Sequence, residues 1–96
     1  MFSIISLKDF ENQRGNFEIV DIRSIEKYNN NHIYDSINIP MEKLISTPEK
    51  YLNKNKLYCI YCTRGVSSLK VGKILSKLGY RILSLDGGYE AWLLNK

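Results

Sequence analysis

Two cysteines, a single histidine and one run of small, polar and basic residues hold most of the chemistry this sequence can offer. Cys62 follows the apolar run Leu57 to Tyr61 and precedes Thr63-Arg64-Gly65-Val66-Ser67-Ser68. A strand ending at Tyr61 and a helix starting near Val66 put Cys62 in the turn between them. Successive backbone N–H groups converge in such a turn, and the unpaired amides of the helix's first turn add positive potential. A thiol placed there has a depressed pKa and exists substantially as the thiolate, the nucleophilic form. Gly65 lets the backbone bend tightly. Ser67 and Ser68 offer hydroxyls to the loop or to a group bound in it. Arg64 is either a planar cation for an oxyanion such as a sulfonate or a loop residue pointing to solvent. The plainer reading of Cys62 is a small buried apolar residue. The Thr, Arg and Gly that follow take it out of the buried strand and favour reactivity.

Cys59 and Cys62 have the Cys-x-x-Cys spacing of a redox dithiol. Cys59, however, lies inside the strand pattern, and alternation sends residues three apart to opposite faces, so a disulfide would need the backbone to move. Cys59 is therefore expected in the core, with a resolving thiol as the alternative. This pair plus a distant His32 supplies too few ligands for a metal site. Asp21 and Arg23 could act in catalysis, but a carboxylate and a guanidinium at a strand end more often tie neighbouring loops together through hydrogen bonds, and that role is expected here. Trp92 and Tyr89 are expected to pack a terminal helix onto the sheet.

These residues need a scaffold that turns from strand to helix. Ser6 and Asp9 resemble a capping box opening a helix over Leu7 to Gln13, ended by Gly15, with room for a short strand before it. Phe17 to Ile22 has the pattern of a buried strand, and Ser24 caps a helix to about Asn29. Ile37 to Ile39 is a short strand stopped by Pro40, and Thr47-Pro48-Glu49 opens another helix. After the strand Leu57 to Tyr61, Val66 to Leu78 forms a helix whose apolar face is Val71, Ile74, Leu75 and Leu78, ended by Gly79. Ile82 to Leu85 is the next strand, Asp86-Gly87-Gly88 a turn, and Tyr89 to Leu94 a closing helix. Alternating strands and helices imply a mainly parallel sheet covered on both faces.

With 96 residues the chain makes one domain, residues 1–96, and the site must lie within it. Hydrophobic residues at 44% and charged residues at 25% fit a soluble globular protein. The net charge of +4 is scattered as single lysines, and the tyrosines do not interleave with basic residues, so no nucleic-acid partner is expected. The N-terminal apolar stretch Phe2 to Ile5 is too short for a signal peptide, and no stretch reaches membrane-spanning length. A cytoplasmic, reducing location with both thiols free is the resulting expectation.

The motifs together resemble the rhodanese family over nearly the whole chain. Asp21-Ile22-Arg23 matches its Asp-x-Arg, His32-Ile33 its His-Ile, and Ser36-Ile37-Asn38-Ile39-Pro40 its Ala-x-Asn-Ile-Pro stretch. Tyr61-Cys62-x-x-Gly65 matches its active-site loop, and Leu78-Gly79-Tyr80 with Leu85-Asp86-Gly87-Gly88-Tyr89-Glu90-Ala91-Trp92 its closing signature. The resemblance implies an α/β fold: a central five-stranded, mainly parallel sheet flanked by helices on both faces. It implies sulfur transfer through a persulfide on Cys62, with the loop amides of Thr63, Arg64, Gly65, Val66, Ser67 and Ser68 as the substrate cradle. The donor would be a small anion such as thiosulfate, the acceptor cyanide in vitro and a thiol or protein in the cell, without metal or cofactor. It places His32 in a structural turn. Two departures stand out. Many family members have Arg or Lys where this chain has Ser67, which bears on substrate preference. Ser68 replaces the arginine of a phosphatase-type loop, which argues against phosphatase activity.

Two function classes follow. As an enzyme, the protein is a thiosulfate or persulfide sulfurtransferase, expected to act as a monomer. As a carrier or interaction module, it accepts sulfur from one protein and delivers it to another with little thiosulfate turnover. A redox dithiol is the third possibility, distinguished by dependence on Cys59.

Overall fold

In the computed structural model, which describes residues 1–95, five short strands alternate with five helices. The strands are β1 (Phe2–Ile5), β2 (Glu18–Asp21), β3 (Ser36–Asn38), β4 (Leu57–Tyr61) and β5 (Arg81–Leu85). The helices are α1 (Leu7–Asn12), α2 (Ile25–Asn30), α3 (Met41–Ser46), α4 (Val66–Lys77) and α5 (Gly88–Leu94). All strand pairs are parallel, in the order β1-β5-β4-β2-β3. The expected sheet is therefore present, and it is wholly parallel.

Parallel neighbours require crossovers, and the crossovers cover both faces. Val20, Ile60 and Ile82 pack on one face with Leu44 of α3 and Val71 and Leu75 of α4. Ile19, Cys59, Tyr61 and Leu83 pack on the other with Phe10 of α1 and Trp92 of α5. Ser6 and Ser24 cap α1 and α2, accepting from the amides of Asp9 and Lys27. No helix among the described residues is long and apolar enough to cross a membrane.

Two local expectations are corrected. Thr47-Pro48-Glu49 does not open an α-helix. It follows α3, and Pro48–Lys50 forms a single 3-10 turn. Thr47 is committed to closing α3, with its amide and hydroxyl both donating to the Lys43 carbonyl, so its hydroxyl caps no following helix. The buried side of α4 is also rotated from the expected apolar stripe. Ser68, Val71, Gly72 and Leu75 face inward, whereas Ile74 and Leu78 are exposed. Gly72 sits inside because a Cβ there would fall 2.3 Å from the Phe2 ring, so α4 approaches β1 more closely than a larger residue allows.

The order of strands also locates the site. From β2 the chain moves outward to β3, and from β4 it moves the opposite way to β5. The loops leaving the carboxyl ends of β2 and β4 therefore diverge and open a crevice, the usual ligand position in an open α/β sheet.

Candidate active site

Cys62 is the first residue beyond β4, in the loop that leads to α4. Gly65 takes the left-handed conformation there (φ 90°) as the residue before the helix, and this turns the loop amides inward. The amides of Gly65 and Ser68 each donate to Cys62 Sγ at 3.2 Å. The Ser68 hydroxyl lies 3.5 Å from the same sulfur. Burial pushes the Cys62 thiol up, but the Ser68 hydroxyl and the amides of Ser68, Gly65 and Arg64 outweigh it, holding the pKa below the usual thiol value. The sulfur is thus best accommodated as an anion.

The loop is held from behind. With its N–H groups turned toward Sγ, the carbonyls of Cys62 and Thr63 point the other way and accept from Tyr89 N–H (2.8 Å) and Glu90 N–H (3.0 Å) in the first turn of α5. Only glycine fits at position 88: a Cβ would stand 2.5 Å from the Cys62 carbonyl oxygen and 2.8 Å from the Gly65 nitrogen. The Asp86-Gly87-Gly88 turn is therefore a brace for the loop as well as a link between elements.

In front of the sulfur lies an open cleft of about 570 Å³. Cys62, Thr63, Arg64, Val66 and Ser67 form one wall; Ile22, Arg23, Ser24 and Lys27 form a second, and Met41 and Glu42 a third. The predicted residues thus divide into two sets. Gly65 and Ser68 contact the sulfur, and the side chains of Thr63, Arg64, Val66 and Ser67 shape the opening. Arg64 is exposed at the rim and forms no ion pair among the described residues. The walls from the β2-to-α2 connection, α2 and α3 escaped the sequence reading, as did Ser84 on β5, whose hydroxyl lies 2.8 Å from that of Ser68. Glu42 in the first turn after Pro40 was the available signal for α3. For Ser84 no local signal exists, since its partner comes from α4 across the sheet.

The other singled-out residues support the scaffold, and Arg23 also lines the cleft. Asp21 is fully buried, accepts from three nitrogens of Arg23 (the backbone amide, Nε and Nη2) at 2.8–3.1 Å, and accepts from Tyr61 Oη at 2.6 Å. Arg23 also donates to the Asn31 carbonyl and stacks over Tyr89, 4.0 Å from the ring centroid. Burial and the neighbouring carboxylate push the Tyr61 hydroxyl up, so it stays protonated and donates. His32 lies flat against Tyr28, with Nδ1 2.8 Å from the Tyr28 carbonyl, and does not line the cleft. Cys59 is buried on the face opposite Cys62, and desolvation pushes its thiol up to about 12. Both cysteines are free.

A family model described as rhodanese-like domain matches residues 6–95. A thiosulfate sulfurtransferase GlpE of Coxiella burnetii is 36% identical over 75 residues, covering 77% of this chain and 69% of the relative. A protein of Pyropia yezoensis named "Probable molybdopterin-synthase adenylyltransferase" is 28% identical over 92 residues, 94% of this chain and 24% of that protein. Among solved structures, a rhodanese-related protein from Thermoplasma volcanium superposes with a TM-score of 0.87 at 28% identity, covering 95% of this chain and 90% of the other. A cysteine cradled by loop amides at the end of the fourth strand, this topology and these likenesses agree: the chain belongs to the rhodanese-like domain family.

Proposed function

We propose that this protein is a sulfurtransferase that carries a sulfane sulfur as a persulfide on Cys62. The observation that carries the reading is the convergence of the Gly65 and Ser68 amides and the Ser68 hydroxyl on Cys62 Sγ, at the floor of an open cleft. In the first half-reaction the Cys62 thiolate attacks the outer sulfur of thiosulfate. A Cys62–sulfur bond forms, the sulfur–sulfur bond of thiosulfate breaks, and sulfite leaves with the electron pair. In the second, an acceptor thiolate or cyanide attacks the outer sulfur of the persulfide, and Cys62 departs as the thiolate. The same fixed dipoles that stabilise the nucleophile stabilise it again as leaving group. Lys27 and Arg64 at the rim favour an anionic donor, and the apolar side chains of Ile22, Met41 and Val66 leave room for an organic acceptor beside it.

A second reading has a specific observation behind it. The sequence of this domain also matches about a quarter of a much larger protein named for adenylyl transfer. A domain built into such a chain would exchange sulfur with a protein group, and the open cleft would admit one.

Intact-protein mass spectrometry after incubation with thiosulfate separates the readings. The enzyme reading expects a gain of one sulfur that is lost in Cys62→Ser, kept in Cys59→Ser, and removed by cyanide. Absence of that gain in folded, reduced protein overturns thiosulfate as donor and leaves the protein-to-protein carrier. Loss of the gain in Cys59→Ser with Cys62 intact points instead to a dithiol mechanism.

A further inference from the structure

The hydroxyls of Ser68 and Ser84 lie 2.8 Å apart between α4 and β5, and the Ser68 hydroxyl is also 3.5 Å from Cys62 Sγ. Ser68 is fully buried and Ser84 is 2% exposed, so solvent does not satisfy either group. Two arrangements run unbroken along the three polar atoms, one from the sulfur toward Ser84 and one from Ser84 toward the sulfur. If a Cys62 thiol donates to Ser68, the Ser68 proton points to Ser84, and the Ser84 proton has no hydrogen-bond partner. Ser84 Oγ makes no other hydrogen bond among the described residues. If the sulfur is an anion, the line reverses. Ser84 donates to Ser68, Ser68 donates to the sulfur, and every proton has an acceptor. A buried donor without an acceptor is costly, so the second arrangement is favoured.

We propose that Ser84 is a positioning residue for the chemistry at Cys62: by donating to the Ser68 oxygen, it aims the Ser68 proton at the sulfur. The role rests on the reading of Cys62 as the sulfur-carrying nucleophile. It matters twice in the cycle, when Cys62 attacks and when it leaves as thiolate. Ser84 touches neither substrate nor the reacting atoms, and acts through Ser68 alone.

The test is the pH dependence of iodoacetamide alkylation at Cys62, followed by peptide-level mass spectrometry, with folding checked by circular dichroism. In Ser84→Ala the midpoint is expected to rise by about half a pH unit, about threefold less thiolate at pH values below it. Ser84→Thr, which keeps the hydroxyl, restores the parent midpoint. In a Ser68→Ala background, Ser84→Ala adds nothing, the signature of action through Ser68. Superimposed parent and Ser84→Ala profiles overturn the proposal, as does a full additive shift in the Ser68→Ala background. Should Ser84→Ala not fold, Ser84→Cys takes its place: its weaker donor raises the midpoint if the proposal holds, and an unchanged midpoint overturns it. Sulfur gain from thiosulfate is measured on the parent in parallel. A parent that takes no sulfur while Ser84→Ala shifts the profile sinks thiosulfate as donor and supports the relay; sulfur gain with no shift sinks the relay alone.

Discussion

Cys59 and Cys62 are three residues apart and experience opposite fields. Cys59 points into the packed face beneath α1 and α5, where desolvation alone acts and pushes its thiol up to about 12. Cys62 is desolvated too, but faces two amides and a hydroxyl that prefer it charged. Folded protein should therefore alkylate at Cys62 with a midpoint below the roughly 8.5 of an ordinary thiol, while Cys59 is labelled only after denaturation. The sign for stability follows. Because its folded pKa is depressed, Cys62 contributes stability above its unfolded pKa and loses that contribution as pH falls through the folded value. The stability gap between the parent and Cys62→Ala should accordingly widen as pH rises across that window, measured by urea denaturation at a series of pH values. Cys62 was legible in the sequence because its neighbours in the chain are also its neighbours in space. Ser84 was not, since a serine within an apolar strand acquires meaning only from the helix laid across it.

Among the elements, α4 and α5 divide the labour of shaping one loop. The first residues of α4 present amides to the sulfur, and the first turn of α5 receives the carbonyls left facing away. Gly88 sits where these two arrangements touch, at φ 60° and against the Cys62 carbonyl. Gly88→Ala combines overpacking against backbone with a strained φ. It is expected to cost about 3 kcal/mol in urea denaturation and to remove the low-pH reactivity of Cys62 even in the folded fraction. Boundaries and caps were largely readable: β4 spans the residues expected, and Ser6 and Ser24 cap as anticipated. The inward stripe of α4 was misread because hydropathy seeks apolar residues. The fold instead turns in Ser68, which serves the sulfur, and Gly72, which lets the helix approach Phe2. Thr47 was misassigned for a related reason, since a residue able to start one helix was already engaged in ending another.

For the molecule as a whole, alternation of strands and helices made the parallel sheet legible, whereas the order β1-β5-β4-β2-β3 came only from the structure. That order places β4 at the centre, flanked by β5 and β2, and leaves β1 and β3 as edges. Native-state hydrogen exchange should be slowest for Tyr58 to Tyr61 and faster for the edge strands. The amides of Gly65 and Ser68 should exchange more slowly in the Cys62 thiolate than in the protonated protein, once the intrinsic pH dependence is removed. The buried Asp21, Arg23 and Tyr61 cluster joins β2, β4 and the turn before β3, so it should remain protected along with the centre. The bracing of the loop by α5 carries a further meaning for the order of synthesis. A ribosome delivers Cys62 well before Tyr89 and Glu90, whose amides hold the loop in shape. The lowered pKa of Cys62 is therefore expected only once Tyr89 and Glu90 have docked on the loop carbonyls, and the thiol should behave as an ordinary one before that.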